Sequence, residues 1–230
     1  MSIAHRGASA YAPENTVAAF DEAICRGARA VEFDVQLSAD GVPVVIHDET
    51  LERTTTGRGR VKDHPLLELM RMDAGSWMHQ RFAGTRIPTL DEALLAIGPR
   101  AMPVIELKAP VPPVELLGHL KRYDLEEACL VISFRAEWLG AVRRESKAVS
   151  LGLLSETWDA DLPNRAKKLD AEVLILHTDV LGTGVASAVE PLGLELWCYT
   201  ANDVGMVAAC ASLGATGIIT DRPDLIRTRR

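Results

Sequence analysis

Short runs of β-branched and apolar residues alternate along the chain with segments whose apolar positions recur at helical spacing. The runs are Ile3–His5, Val31–Val35, Val104–Leu107, Leu130–Phe134, Leu151–Leu154, Val173–Leu176, Leu196–Thr200 and Gly217–Thr220. Helical spacing is clearest over Asn15–Arg26, Leu90–Ile97, Glu137–Arg144, Gly184–Val189 and Val204–Leu213. Gly27, Gly98, Gly193 and Gly214 stand where such helices would stop. A strand–helix rhythm of this kind predicts a parallel sheet. Eight core strands in 230 residues favour closure into a (β/α)8 TIM barrel over an open doubly wound sheet. No G-x-G-x-x-G follows any strand, so the dinucleotide-binding alternative lacks its fingerprint.

One stretch breaks the rhythm. Between Val35 and Val44 there is no room for a helix, and Asp40-Gly41 is a two-residue hairpin signal. A hairpin is therefore expected at the end of the second strand. With Ala39 facing Val42, its register would place His47 directly opposite Asp34. The following residues, about 49–88, are polar and turn-rich, with a short helical piece near Leu66–Met72. They read as a small insertion above one domain spanning 1–230, too short to bury a core alone.

Barrel enzymes carry their chemistry at the C-terminal ends of the strands. There the first strand has His5-Arg6, the second Glu32 and Asp34, and the third Glu106 and Lys108. Residues i and i+2 of a strand share a face. Three carboxylates and one lysine can thus converge on the barrel mouth, with Phe33 and Leu107 turned toward the helices. Buried together, three carboxylates are costly without a cation. Oxygen donors without cysteine suit a hard divalent ion, Mg2+ or Ca2+; a salt-bridge network without metal is the alternative. His5 and His47 are the natural proton carriers, against the alternative of satisfied core histidines. Arg6 and Lys108 supply positive charge for a phosphate.

Composition narrows the classes. Hydrophobic residues make up 47% and aromatics only 5%, so the core must be mostly aliphatic. A net charge of −7 without a dense basic run argues against a nucleic-acid partner, and Arg227, Arg229 and Arg230 read as a solvated tail. The cysteines at 25, 129, 198 and 210 have no metal or redox spacing and read as small buried residues of a reducing compartment. Neither a signal peptide nor a run of about 18 apolar residues is visible. A cytoplasmic protein without membrane insertion is expected.

Taken in order, His5-Arg6-Gly7, Pro13-Glu14-Asn15-Thr16, Glu32-Phe33-Asp34-Val35, His47-Asp48, Arg53-Thr54-Thr55, Ile87-Pro88-Thr89-Leu90, Ile105-Glu106-Leu107-Lys108, Ser133-Phe134 and Gly217–Asp224 resemble the glycerophosphodiester phosphodiesterase family over nearly the whole chain. The resemblance implies a TIM barrel with an insertion after the second strand. It also implies hydrolysis of small glycerophosphodiesters to glycerol 3-phosphate and an alcohol. It matches Glu32, Asp34 and Glu106 to metal carboxylates and His5 and His47 to acid/base histidines. Arg6 and Lys108 match residues near the phosphate, and Glu14 and Asn15 match polar residues of the same mouth. The family's Trp-Thr-Val-Asn string is replaced by Tyr199-Thr200-Ala201-Asn202, with Trp197 two residues earlier on the same face. Trp197 and Tyr199 are therefore the candidates for an aromatic wall beside the substrate, with barrel filling as the alternative. Few other aromatics or acids offer a cage for choline, so the alcohol is expected to be loosely read. Two other classes fit the same residues: a phospholipase D-like barrel acting on lysophospholipids, and a non-catalytic sensor of phosphorylated ligands.

Overall fold

A computed structural model describes residues 1–226; the arginine tail lies outside them. The strands are β1 (Ser2–Ala4), β2 (Ala30–Leu37), β3 (Pro43–Val45), β4 (Met102–Leu107), β5 (Leu130–Ser133), β6 (Ser150–Ser155), β7 (Val173–His177), β8 (Glu195–Tyr199) and β9 (Gly217–Thr220). The α-helices are α1 (Val17–Cys25), α2 (Leu66–Leu69), α3 (Leu90–Ile97), α4 (Pro113–Arg122), α5 (Ala136–Glu145), α6 (Leu162–Lys168), α7 (Val185–Val189) and α8 (Val204–Ser212). All strands except β3 pair in parallel, and β1 pairs with both β9 and β2, which closes an eight-stranded barrel. Three helix starts are capped by Thr16, Thr89 and Asp203, each accepting a first-turn backbone N–H. Helices α4 and α6 were not among the clear periodic segments. The first opens on Pro112-Pro113 and carries Gly118, and the second is only seven residues long.

Strand alternation sorts the residues into two layers. On β2, Val31, Phe33 and Val35 enter the outer core against the helices, where Phe33 meets Phe20 at 5.7 Å between ring centroids. Ala30 faces the barrel interior with Ile3, Val104, Ile132, Ile175, Trp197 and Ile219. Continuing that inward face by two and by four residues gives Glu32 and Asp34, both fully buried side chains at the upper end of the strand. The outward face holds the fold together by apolar burial; the inward face, once past its aliphatic floor, is free to carry chemistry.

The hairpin differs from its expected register. Val35 pairs with Val45, Gln36 with Val44 and Leu37 with Pro43, so Ser38 faces Val42 and the loop is Ala39-Asp40-Gly41. The Ser38 hydroxyl donates to Asp40 Oδ1 and accepts from Val42 N–H, and Gly41 takes φ +80°. These local bonds widen the turn by one residue. Ile46, not His47, stands beside Asp34, with its N–H on the Asp34 carbonyl at 3.0 Å.

The insertion packs with this hairpin. Val44 and Ile46 join Leu51, Val61, Leu69, Ala74 and Ile87 in one small apolar cluster. Asp73 ties its end together, accepting backbone N–H bonds from Gly75, Ser76 and Gly84. The Gly84 bond first, then those of Ser76 and Gly75, hold the carboxyl down at about 2. A folded-state pKa below the unfolded value of about 3.9 gives stability that is complete above that value and lost as pH falls through about 2. Pepsin cleavage of the insertion should therefore rise as pH falls from about 4 toward about 2 in the wild type. In Asp73→Ala it should already be high at about pH 4; equal resistance of the two proteins there would refute this role.

Cys129, Cys198 and Cys210 are buried, Cys25 is exposed, and all four are free thiols. Among the described residues, no helix is long and apolar enough to cross a membrane.

Candidate active site

Glu32, Asp34 and Glu106 meet at the barrel mouth, each offering an oxygen, with these oxygens all within 4.8 Å of one another. Register explains the meeting: Asp34 on β2 is the direct neighbour of Glu106 on β4, and Glu32 lies two residues below on the same face. Asn15, at φ +58°, clamps Asp34 from behind. Its Nδ2 donates to Asp34 Oδ2 at 2.7 Å, and its Oδ1 accepts the Asp34 N–H at 3.1 Å. Glu32 Oε2 accepts the Arg6 N–H at 2.9 Å. Lys108 Nζ lies 2.7 Å from Glu106 and 3.6 Å from Asp34, and Arg6 Nε lies 3.3 Å from Asp34.

The charges do not balance. Burial, then the neighbouring Asp34 and Glu106 carboxylates, push Glu32 well above the usual carboxylate range. Burial, then Asp34, push Glu106 up to about 7, partly offset by Lys108. Burial also works against ionised Asp34, but Arg6, Lys108 and His47 overcome it and hold Asp34 below its ordinary value. Glu32 Oε1 and Asp34 Oδ1 are buried without a hydrogen-bond partner. Buried carboxylate oxygens with no donor fit a hard divalent cation better than a closed salt-bridge network.

Both histidines line the cavity above this cluster, with Arg6 and Lys108. The chain leaves β3 at Ile46 and bends through His47–Glu49, and Gln36 Nε2 pins that bend by donating to the carbonyls of His47 and Asp48. Each imidazole is held through Nδ1 by a carboxylate: His47 by Asp48 at 2.7 Å and His5 by Asp221 at 2.6 Å. Asp48 is kept ionised chiefly by Arg53, whose guanidinium also grips Glu14. For Asp221, burial is overcome by bonds from His5, Ser9 and Asn202. An ionised carboxylate only accepts, so each Nδ1 carries a proton and each Nε2 is the nitrogen left to take up or give one in the cavity. Burial, eased by Asp34 and reinforced by Arg6, keeps His47 below its ordinary pKa and hence neutral at pH 7.

The expected substrate-binding residues divide. Arg6, Lys108 and Tyr199 line the cavity. Glu14, Asn15 and Trp197 do not. Glu14 spends its oxygens on Arg6 and Arg53, and Asn15 spends its amide on Asp34. Trp197 is 2% exposed in the barrel floor, its Nε1 bonded to Glu195 and its ring lying over Gly217, where any Cβ would come within 2.5 Å. The indole is barrel filling made room for by a glycine. Phe134, Glu156 and His177 join Tyr199 in the wall instead, with Phe134 and His177 both edge-on to the Tyr199 ring. The Tyr199 hydroxyl is buried without a partner.

Residues 5–225 match the model of the glycerophosphoryl diester phosphodiesterase family. The chain belongs to that family. A glycerophosphodiester phosphodiesterase of Caldanaerobacter subterraneus is 37% identical, over 98% of this chain and 96% of its own. Among solved structures, an Agrobacterium tumefaciens glycerophosphodiester phosphodiesterase aligns with TM-score 0.87 at 34% identity, covering 98% of both chains. An Oleispira antarctica phosphodiesterase, solved with the product sn-glycerol-3-phosphate, aligns with TM-score 0.92 at 32% identity over 96% of this chain and 93% of its own. As a member of the glycerophosphoryl diester phosphodiesterase family, the chain is a phosphoric diester hydrolase.

Proposed function

We propose that the chain hydrolyses small glycerophosphodiesters to glycerol 3-phosphate and an alcohol, with Glu32, Asp34 and Glu106 holding Mg2+ or Ca2+ and with His5 and His47 moving the protons. The observation that carries this reading is a cavity in which three converging carboxylates lie beneath two histidines, each backed by its own carboxylate. A non-catalytic sensor has no use for two such oriented bases.

A phosphodiester is a stable monoanion with a poor alkoxide leaving group. A bound divalent cation would supply Lewis-acid stabilisation of charge on the non-bridging oxygens. Lys108 and Arg6 add positive charge beside the phosphate while bridging the carboxylate cluster. One histidine Nε2 accepts the proton of the attacking hydroxyl, and the other, protonated, delivers one to the leaving oxygen. Asp48, Asp221, Asn15 and Glu14 are positioning residues, acting through His47, His5, Asp34 and Arg6. The cavity above the cluster, about 230 Å³, is sized for glycerol phosphate. Its free Tyr199 hydroxyl and Glu156 carboxylate offer a donor and an acceptor to the glycerol hydroxyls.

Enzymatic detection of glycerol 3-phosphate tests the reading. Glycerophosphocholine and glycerophosphoethanolamine should both release it, with similar kcat/KM, when Mg2+ or Ca2+ is supplied. Release of phosphocholine instead, or of nothing, would be fatal to the assignment. A phospholipase D-like activity would show as a preference for lysophosphatidylcholine over glycerophosphocholine.

A further inference from the structure

Beside the mouth cavity lies a larger groove, about 640 Å³ against about 230 Å³. The two share Glu106, Lys108 and Phe134, so a phosphate held over Lys108 faces both. One wall of the groove comes from the insertion through Arg60 and Lys62. The other comes from the end of β5 and the start of α5 through Arg135 and Trp138. Leu37, Leu107 and Phe134 supply apolar surface between them.

The charge of this groove runs against that of the chain. The whole chain carries −7. In the groove, with Lys108 and Glu106 set aside as the pair they form at 2.7 Å, three cations, Arg60, Lys62 and Arg135, face one carboxylate, Glu49. The cations of the catalytic mouth are engaged: Arg6 with Glu14, and Arg53 with Glu14 and Asp48. Arg60, Lys62 and Arg135 make no ion pair among the described residues. Unpaired cations on two opposing walls, above apolar surface and next to a phosphate site, form a receptor for an anion on a carbon skeleton. Glycerol is too small to need this space; the variable arm of the substrate is not.

We infer that the groove seats the alcohol arm of the substrate and selects alcohols that carry their own anionic group, above all a second phosphate. This rests on the hydrolase reading and deepens it. Choline and ethanolamine find no acidic cage there and are treated alike, whereas an anionic alcohol gains charge-assisted hydrogen bonds from both walls.

Glycerophosphoinositol and glycerophosphoinositol 4-phosphate differ only in the added phosphate, and both release glycerol 3-phosphate on cleavage. The readout is the ratio of their kcat/KM values within one protein, which does not depend on how much of a variant is active. The wild type should favour the phosphorylated alcohol by about tenfold or more, and the ratio should shrink as salt is raised. The exposed pair Arg60→Glu and Arg135→Glu, combined, should bring the ratio to about one or invert it, and Lys62→Glu alone should lower it part-way. A wild-type ratio near one, or a ratio that survives charge reversal, overturns the groove assignment alone. If neither inositol ester nor glycerophosphocholine yields glycerol 3-phosphate, the hydrolase reading fails, and the groove assignment with it.

Discussion

Replacing either His5 or His47 by alanine should lower kcat on glycerophosphocholine by about 10²–10⁴ while leaving cation binding largely intact. The expectation follows from the two Nδ1–carboxylate pairs. Each imidazole is aimed by an aspartate that is itself held by other side chains, Asp48 by Arg53 and Asp221 by Ser9 and Asn202. Such support is costly to build for a histidine that only packs. Cleavage needs one proton removed from the nucleophile and one delivered to the leaving oxygen, so loss of either histidine leaves half of the proton traffic uncatalysed. A nitrophenyl ester separates the roles, because nitrophenolate leaves without a proton. Only the variant lacking the acid should be rescued by it. Near-wild-type rates in both variants would end the two-histidine mechanism; rescue of both or of neither would end the simple acid/base division.

The carboxylate cluster was legible because it interrupts apolar strands. Glu32, Asp34, Glu106 and Lys108 are polar where propensity favours aliphatics, and the period of two then fixes which face they share. Applied to the other strands, the same rule leads from Ile132 to Phe134, from Leu154 to Glu156, from Ile175 to His177 and from Ile219 to Asp221, all in the observed mouth or bonded to it. These residues stand at or beyond the end of their apolar runs, where no interruption draws attention to them. Trp197 shows the converse. Its face was right and its depth was not, since two residues along a strand lower a side chain by about 7 Å. What pattern could not reach were contacts between distant segments. Glu14 meets Arg53 across 39 positions, and Asn15 meets Asp34 across 19. Nothing local distinguishes such partners from substrate-binding groups. The hairpin register failed for a smaller reason: one Ser38–Asp40 hydrogen bond lengthened a turn whose sequence otherwise announces two residues.

Glu32→Gln should move stability and activity in opposite directions. In the protein without a cation, Glu32 is buried beside two other carboxylates, and one of its oxygens lacks any donor. The glutamine amide keeps an oxygen for the Arg6 N–H and turns its NH2 toward acceptors that are otherwise unpaired. Removing a buried carboxyl that must either ionise against its two neighbours or take up a proton to fold should therefore raise the melting temperature of the metal-free protein, each kcal/mol gained appearing as about 2–4 °C. The same change removes a charged donor from the cation. The rise in melting temperature that Mg2+ or Ca2+ gives the wild type should be lost, and affinity should fall by at least about 10–100-fold. Glu106→Gln should cost as much affinity and activity, but with less gain in the metal-free protein, because Glu106 is already paired with Lys108. Differential scanning calorimetry with and without EDTA, alongside activity at several cation concentrations, reads all of these. If wild-type protein shown to be free of metal keeps full activity, the three carboxylates are not a catalytic cation site. If Glu32→Gln is less stable than the metal-free wild type, the cluster is a structural salt-bridge network whose charges already balance.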